Sequence, residues 1–206
     1  MRELTLPISE ADIRALHAGE IVSLSGVVVT ARDMAHKYLV EHFIHREPAS
    51  DERALYEEIR ALLRNGGIYH CGPVMKRHGE TWQMVAGGPT TSSREEEYAD
   101  SIIEHFGVRV IIGKGGMGGR TKSACLKHGA VYLHAVGGAA ALIAQSVKEV
   151  TGVWKLEFGM PEAMWQLRIS GLRLVVTIDA HGRNWHEEIA NASEQVLQSL
   201  LAELGG

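Results

Sequence analysis

Residues 95–116, EEEYADSIIEHFGVRVIIGKGG, carry the pattern that decides the fold. The first part of this stretch predicts a helix over residues 95–106, and the apolar run VRVIIG predicts a buried strand over residues 108–113. Glycines follow directly after the strand, where they indicate a loop. A helix that leads into a buried strand is typical of layered α/β proteins.

The same alternation of strands and helices continues on both sides. Downstream, the sequence predicts a strand over residues 130–136, a helix over 139–150, a buried strand over 172–179 and a helix over 185–204. Upstream, it predicts a helix over residues 9–16 capped by Ser9, a strand over 20–29, an amphipathic helix over 50–65, and strands over 68–74 and 82–85 joined by a turn. We therefore predict an α/β fold with a mixed sheet, in one domain over residues 1–206 with a helical insertion at about 48–66.

The composition limits the class of protein. The chain has 206 residues, an apolar fraction of 45% and a net charge of −4, so it can bury one core and has no excess of basic residues for nucleic acid. No apolar run is long enough to span a bilayer, and the charged N-terminus does not look like a signal peptide. Cys71 and Cys125 lie too far apart in sequence for a CxxC metal signature or a disulfide framework. These features predict a cytoplasmic protein without a nucleic-acid or membrane partner.

Polar side chains cluster where predicted strands end. They include Arg32 after the first strand, Thr90, Thr91 and Arg94 after a Gly-Gly-Pro turn, and Lys114 in a glycine-rich loop. Ligands of α/β proteins usually bind at the carboxyl ends of strands. Arginine binds a carboxylate through two parallel hydrogen bonds, and lysine adds a point charge. The pattern therefore favours a site for a small dianion.

Each of these features also has a structural interpretation. Arg32 and Asp33 fit a simple ion pair, and the two threonines fit the cap of the following helix. The three glutamates at 95–97 predict a solvated first helical turn rather than an acid site. Residues 113–118 satisfy the dinucleotide pattern G-x-G-x-x-G, but the next strand ends in glycine without an acidic residue for a ribose hydroxyl, which argues against a nicotinamide site.

Taken in order, six segments resemble one known family. These segments are GVVVTARDMAHK, YHCGPVM, GGPTTSSR, VIIGKGGMG, FGMPEAMW and TIDAHGRN, and they span nearly the whole chain. The resemblance is to the β subunit, or C-terminal domain, of the class I iron–sulfur hydro-lyases, which comprise fumarate hydratase and L-tartrate dehydratase. It implies a swivelling β/β/α-type domain.

The resemblance also implies roles for individual residues. Arg32, Thr90, Thr91, Arg94 and Lys114 would bind the substrate, with Arg32, Thr90 and Lys114 taking part in catalysis and Thr90 in proton abstraction. Asp33 and His36 would position Arg32, and this chain would supply no metal ligand. The sequence departs from the family at Glu95, where an arginine–methionine pair is common.

The implied activity is reversible hydration of fumarate to malate, a reaction of the tricarboxylic acid cycle. L-Tartrate dehydration and non-catalytic binding of a small anion remain the alternatives. The resemblance implies a [4Fe–4S] cluster held by three cysteines of an α subunit, because the two cysteines of this chain cannot hold it. The expected partners are that α subunit and a C4 dicarboxylate, in an assembly in which the β chain associates with itself or forms a heterotetramer.

Overall fold

The computed structural model describes residues 1–204 and shows an α/β fold with a mixed sheet, as predicted. The strands are β1 (Arg2–Thr5), β2 (Ile21–Thr30), β3 (Gly67–Tyr69), β4 (Val74–His78), β5 (Thr81–Ala86), β6 (Val110–Gly113), β7 (Val131–His134), β8 (Val147–Trp154) and β9 (Met164–Ile178). The α-helices are α1 (Glu10–Arg14), α2 (Asp33–Phe43), α3 (Arg53–Leu63), α4 (Glu96–Phe106), α5 (Gly119–His128), α6 (Ala140–Ser146) and α7 (Trp185–Leu204). The predicted domain includes residues 205–206, which lie outside the described residues.

The sheet closes on itself through one long strand. Strands β1, β2, β3, β6 and β7 lie parallel to their neighbours in that order. Strand β9 runs antiparallel and pairs with β2 along one edge and with β7 and β8 along the other. Strands β4 and β5 form a separate hairpin. The parallel strands therefore all end at one side of a closed sheet.

Alternate residues of the parallel strands enter two different hydrophobic cores. On β6, Val110 and Ile112 pack in a core with α1, α6 and the hairpin, whereas Ile111 packs in a second core with helices α2 to α5. On β7, Leu133 packs in the first of these cores and Tyr132 packs in the second. Because both faces of these strands are apolar, polar side chains are left to the strand ends.

Three predicted elements differ from the structure, and one of them, the strand predicted over residues 172–179, begins eight residues earlier at Met164 as part of β9. The helix predicted over residues 139–150 ends at Ser146, and the chain continues as β8, where Val150 pairs with Leu167 of β9. The strand predicted over residues 68–74 is two elements, β3 in the closed sheet and β4 in the hairpin. For residues 147–150 the local pattern fits either state, and pairing with the distant β9 selects the strand. The chain breaks between β3 and β4 because the two strands pair in different sheets.

Other predicted elements are found where they were expected. Ser9 caps α1, since its Oγ accepts the Asp12 N–H at 3.1 Å. Residues 48–66 contain α3, which lies in the connection from β2 to β3 and buries Ile59 and Leu63 in the second core. Whether this segment is an insertion stays a prediction.

Helix α7 lies apart from these cores along most of its length. Its apolar residues Ile189, Leu197 and Leu201 are each about half exposed, and within residues 1–204 none of the three joins either core. Among the described helices, none has both the length and the apolar character required to cross a membrane.

The glutamates at 95–97 differ sharply from one another, and the predicted solvated first turn is wrong for two of them. Glu95 is fully buried and Glu97 is exposed. The Glu96 carboxylate accepts the backbone N–H groups of Gly118 (2.7 Å), Arg120 (2.9 Å) and Thr121 (3.2 Å) at the start of α5. Glu96 therefore caps a helix that lies more than twenty residues away in sequence.

We predict that Glu96→Ala lowers the free energy of unfolding by about 1–3 kcal/mol, because several helix N–H groups lose their acceptor. Urea denaturation followed by circular dichroism measures the change. The exposed Glu80 in the hairpin turn offers a matched control, and Glu80→Ala should shift stability by less than about 0.5 kcal/mol. Equal effects of the two substitutions would contradict the capping role.

Candidate functional site

The predicted site residues lie beyond the carboxyl ends of β2, β3 and β6. A ladder of backbone hydrogen bonds continues past the strands: Ala31 N–H donates to Tyr69 O (3.0 Å) and His70 N–H donates to Ile112 O (2.8 Å). Thr90 N–H then donates to His70 O at 2.7 Å. The closed sheet therefore brings together segments that are up to about eighty residues apart in sequence, at the edge where ligands of α/β proteins bind.

The threonine turn and the lysine loop are held against each other by their backbones. Ser92 N–H donates to Lys114 O at 3.0 Å, and Lys114 N–H donates to Thr90 O at 3.3 Å. Thr91 and Lys114 thus pair like residues of parallel strands. This pairing fixes the two hydroxyls and the ammonium stem on neighbouring backbone positions.

Arg94 links Thr90 to Asp33. Its Nη2 donates to Thr90 Oγ1 at 3.0 Å and lies 3.1 Å from Asp33 Oδ2. Thr91 precedes the short 3₁₀ turn Ser92–Glu95 but makes no side-chain cap there, and α4 begins after Glu95 rather than after a threonine. The capping interpretation of the threonines is therefore wrong in this structure.

Arg32 is held by groups on three segments. Its Nε lies 3.3 Å from Glu162 Oε1, and its Nη2 lies 3.9 Å from Asp33 Oδ2. A Cβ at Gly72 would lie only 2.6 Å from Arg32 Nη1, so glycine makes room for the guanidinium. The Arg32 carbonyl accepts His36 Nδ1–H at 2.9 Å. The contact of Glu162 with Arg32 was not predicted, because the two residues lie about 130 positions apart in the sequence.

Asp33 and His36 therefore differ in their contacts. Asp33 lies closer to Arg94 than to Arg32, and its position at the start of α2 leaves it partly exposed between the two guanidinium groups. His36 is buried, and its ring contacts Arg32 at the backbone carbonyl. Their roles as positioning residues stay predictions.

A buried polar layer lies beneath the threonine turn. His70 Nδ1 and the Tyr132 hydroxyl both lie 2.9 Å from Ser92 Oγ. His36 packs edge-on against His70, with ring centroids 4.9 Å apart. Burial lowers the pKa of His36 to about 4 and the pKa of His70 well below its usual value, so both rings are neutral at pH 7. The sequence gives no spacing signal for this layer.

The glycine-rich loop is anchored from the C-terminal part of the chain. The buried Asn184 donates from Nδ2 to Met117 O at 3.0 Å. Gly116 has a φ of +80°, and a Cβ there would lie 2.7 Å from the His186 ring. The backbone conformation and this close approach explain why the loop needs glycine even if it binds no nucleotide.

The loop is not suited to a pyrophosphate. A pyrophosphate would require free N–H groups at the start of α5, and the Glu96 carboxylate already accepts those groups.

The cysteines do not fit a metal cluster. Cys71 and Cys125 are fully buried in different cores, and burial raises the pKa of both thiols. Within residues 1–204 no three Cys, His, Asp or Glu side chains are grouped so that they could hold a metal ion. What the site does offer is Arg32, Arg94 and Lys114 on segments that adjoin Thr90 and Thr91, a set suited to a small dianion.

Comparison with known proteins agrees with the motif pattern. The family model described as "Fumarase C-terminus" matches residues 2–189. A protein named fumarate hydratase class I from Geobacillus stearothermophilus is 45% identical over 195 residues, which cover 94% of this chain but 35% of that protein. The L(+)-tartrate dehydratase subunit beta of Escherichia coli K12 is 37% identical over 182 residues, which cover 88% of this chain and 84% of the subunit. This chain thus spans about a third of the first relative and most of the second.

We predict that Asn184→Ala loosens the loop at residues 113–118. Loss of the amide leaves the buried Met117 carbonyl without its donor, which lowers the free energy of unfolding by about 1–3 kcal/mol. Amide hydrogen exchange across the loop should accelerate accordingly. The exposed Asn191 on α7 provides the control, and Asn191→Ala should leave exchange in the loop unchanged.

Proposed function

This chain belongs to the fumarase C-terminus family, and on that premise we propose that it is the β component of a hydro-lyase that interconverts fumarate and malate. The observation that supports this proposal is the arrangement at the carboxyl ends of β2, β3 and β6. Arg94 donates to the Thr90 hydroxyl, Arg32 and Arg94 share the Asp33 carboxylate, and the backbone of Lys114 pairs with that of the threonine turn. A C4 dicarboxylate carries two negative groups, which match this cationic set.

Under this proposal the cationic side chains clamp the substrate. A guanidinium group can bind a carboxylate through two parallel N–H groups. Asp33 lies 3.9 Å from Arg32 Nη2 and 3.1 Å from Arg94 Nη2, and so it holds the two guanidinium groups beside each other. Removal of a proton next to a carboxylate places extra negative charge on that group in the transition state. Preorganised cations stabilise such developing charge more than they stabilise the substrate, and so they raise kcat.

Thr90 is the proposed proton-transfer residue. A threonine hydroxyl is a weak base, so it requires a group that stabilises the negative charge of its oxygen. Arg94 Nη2 donates to that oxygen at 3.0 Å and is itself paired with Asp33. Within this chain, then, a cation contacts the Thr90 oxygen and a carboxylate orients that cation.

The partner is proposed from the relatives and from the cysteines. The E. coli relative is named as a β subunit, which implies an α subunit, and the cysteines of this chain do not fit an iron–sulfur cluster. We assign the cluster to the partner, which would bind over the exposed side of Thr91 and Arg94. Residues from both components would then enclose the substrate.

Fumarate is preferred over tartrate on similarity. The chain is 45% identical to the fumarate hydratase relative and 37% identical to the tartrate dehydratase subunit. Hydration of fumarate is also the commoner metabolic task. Tartrate dehydration is the second candidate, because the tartrate relative matches most of its own length.

The test is an activity assay of this chain assembled anaerobically with its α partner, on malate and on tartrate. The assembled pair should act on malate, whereas the chain alone should be colourless and inactive.

Lys114→Met should lower kcat/KM at least tenfold, or about 1.4 kcal/mol, since it removes a charge that contacts the substrate. Lys127→Met is the control, because Lys127 is exposed and pairs with Glu104 away from the site. An assembled pair without activity on either substrate would refute the proposal.

A second experiment separates proton transfer from clamping. Thr90→Val deletes the hydroxyl at nearly constant shape and should lower kcat about 100-fold or more, with little change in the affinity for a dicarboxylate inhibitor. Thr90→Ser keeps the hydroxyl and should retain most of the activity. If Thr90 only anchors Arg94, Thr90→Val should instead raise KM and leave kcat close to wild type. Thr81→Val in the hairpin serves as the matched control for the substitution itself.

A further inference from the structure

Glu95 is a carboxylate without a donor. Its side chain is 0% exposed, and neither of its oxygens has a hydrogen-bond partner among the described residues. The nearest nitrogen in an ion-pair contact is His36 Nδ1, at 3.4 Å from Oε2. An ionised carboxylate in such a place loses its hydration without replacement, which is strongly unfavourable.

The groups around Glu95 do not supply the missing positive charge. His36 Nδ1–H already donates to the Arg32 carbonyl at 2.9 Å, and the ring is neutral at pH 7. Arg94, the neighbouring cation, is directed to Thr90 and Asp33. The titratable and charged groups that face Glu95 from the elements around it are Asp33 and His36 on α2, His70 after β3, Arg94 on its own turn, Tyr98 on α4, and Glu162 before β9.

A proton on Glu95 resolves this arrangement. The ionised carboxylates of Asp33 and Glu95 are both acceptors and cannot hydrogen-bond to each other. A proton on Glu95 supplies the missing donor, so that Glu95 can donate to Asp33. Burial, together with the charge of Asp33, raises the pKa of Glu95 to about 8. Asp33 is also the carboxylate that holds Arg94 at 3.1 Å. Glu95 therefore lies behind the contact that orients the substrate clamp.

We propose that Glu95 is a positioning residue that works as an uncharged carboxylic acid: it donates to Asp33, orients Asp33 against Arg94, and keeps the pocket cationic. This inference rests on the proposed function, since it deepens the role of the same site. With Glu95 neutral, Arg32, Arg94 and Lys114 face the two carboxylates of Asp33 and Glu162, which leaves one net positive charge. With Glu95 ionised, that net charge is lost.

The consequence is a dicarboxylate affinity that depends on pH. As the pH rises through about 8, Glu95 ionises, its hydrogen bond to Asp33 disappears, and the pocket becomes neutral. Binding of a dianion then weakens, because it depends on the charge of the pocket. The loss of affinity is measured as a rise in KM and in the Ki of a non-reacting dicarboxylate.

The experiment compares wild type with Glu95→Gln, each assembled with the α partner, from pH 6 to pH 9.5. In wild type, KM for malate and Ki for succinate should rise at least fivefold between pH 7 and pH 9. Glu95→Gln keeps an uncharged donor and should match wild type within about twofold at pH 7, without the alkaline rise. Glu97→Gln, at an exposed neighbouring position, should retain the wild-type profile. An unchanged alkaline rise in Glu95→Gln would overturn the proposal.

A spectroscopic measurement keeps this test independent of activity. Infrared difference spectra of the full chain at pH 7 should show the carbonyl stretch of a protonated carboxylic acid, and Glu95→Gln should lack it. Absence of that band in wild type overturns the role of Glu95 even if the enzyme is active or the variant fails to fold. If the band is present but no C4 substrate reacts, the proposed function fails while the protonation of Glu95 stands.

Discussion

The pairing of β9 with β2 on one edge and with β7 and β8 on the other is the interaction on which the rest of the structure depends. It closes the sheet, so that parallel strands such as β6 and β7 have hydrophobic cores on both faces. The polar side chains of the candidate site therefore lie at the carboxyl ends of β2, β3 and β6. The backbone ladder continues past those ends through Ala31, His70 and Thr90, and this continuation gives the site its rigidity. Hydrogen bonds between backbones, rather than side-chain packing alone, set the spacing of the threonine turn and the lysine loop.

Charge balance is the second constraint on the site. Three cations close together repel one another, and Asp33 and Glu162 reduce that repulsion by lying beside the two guanidinium groups. Each added carboxylate also lowers the affinity for an anionic ligand, so the number of ionised acids must stay below the number of cations. A buried neutral Glu95 satisfies both requirements, because it supports Asp33 through a hydrogen bond without adding a charge.

The sequence predicts the elements, and which polar residues follow the strand ends, better than it predicts the environment of individual side chains. Apolar runs such as residues 108–113 identify strands because burial on both faces leaves a continuous pattern. The predicted helix extends to residue 150, into the first half of β8, because valines separated by charged residues fit either state until the pairing with β9 is known. The glutamates at 95–97 look alike in sequence, yet Glu95 is buried, Glu96 caps α5 and Glu97 is exposed. Their environments differ because α2 and α5 pack beside this turn. Contacts such as that of Glu162 with Arg32 or Asn184 with Met117 cross long stretches of chain that no local pattern connects.

The glycine-rich loop shows how a local motif takes its meaning from distant residues. A G-x-G-x-x-G pattern binds a pyrophosphate only when the N–H groups at the start of the following helix are free. Here the Glu96 carboxylate accepts those N–H groups, and the same negative charge would repel a phosphate. The glycines instead allow the loop to pass under His186 and to turn back, which places Lys114 beside Thr91. One side chain from α4 therefore excludes a dinucleotide from a loop whose pattern is typical of dinucleotide sites, and the loop instead holds Lys114 beside the threonine turn.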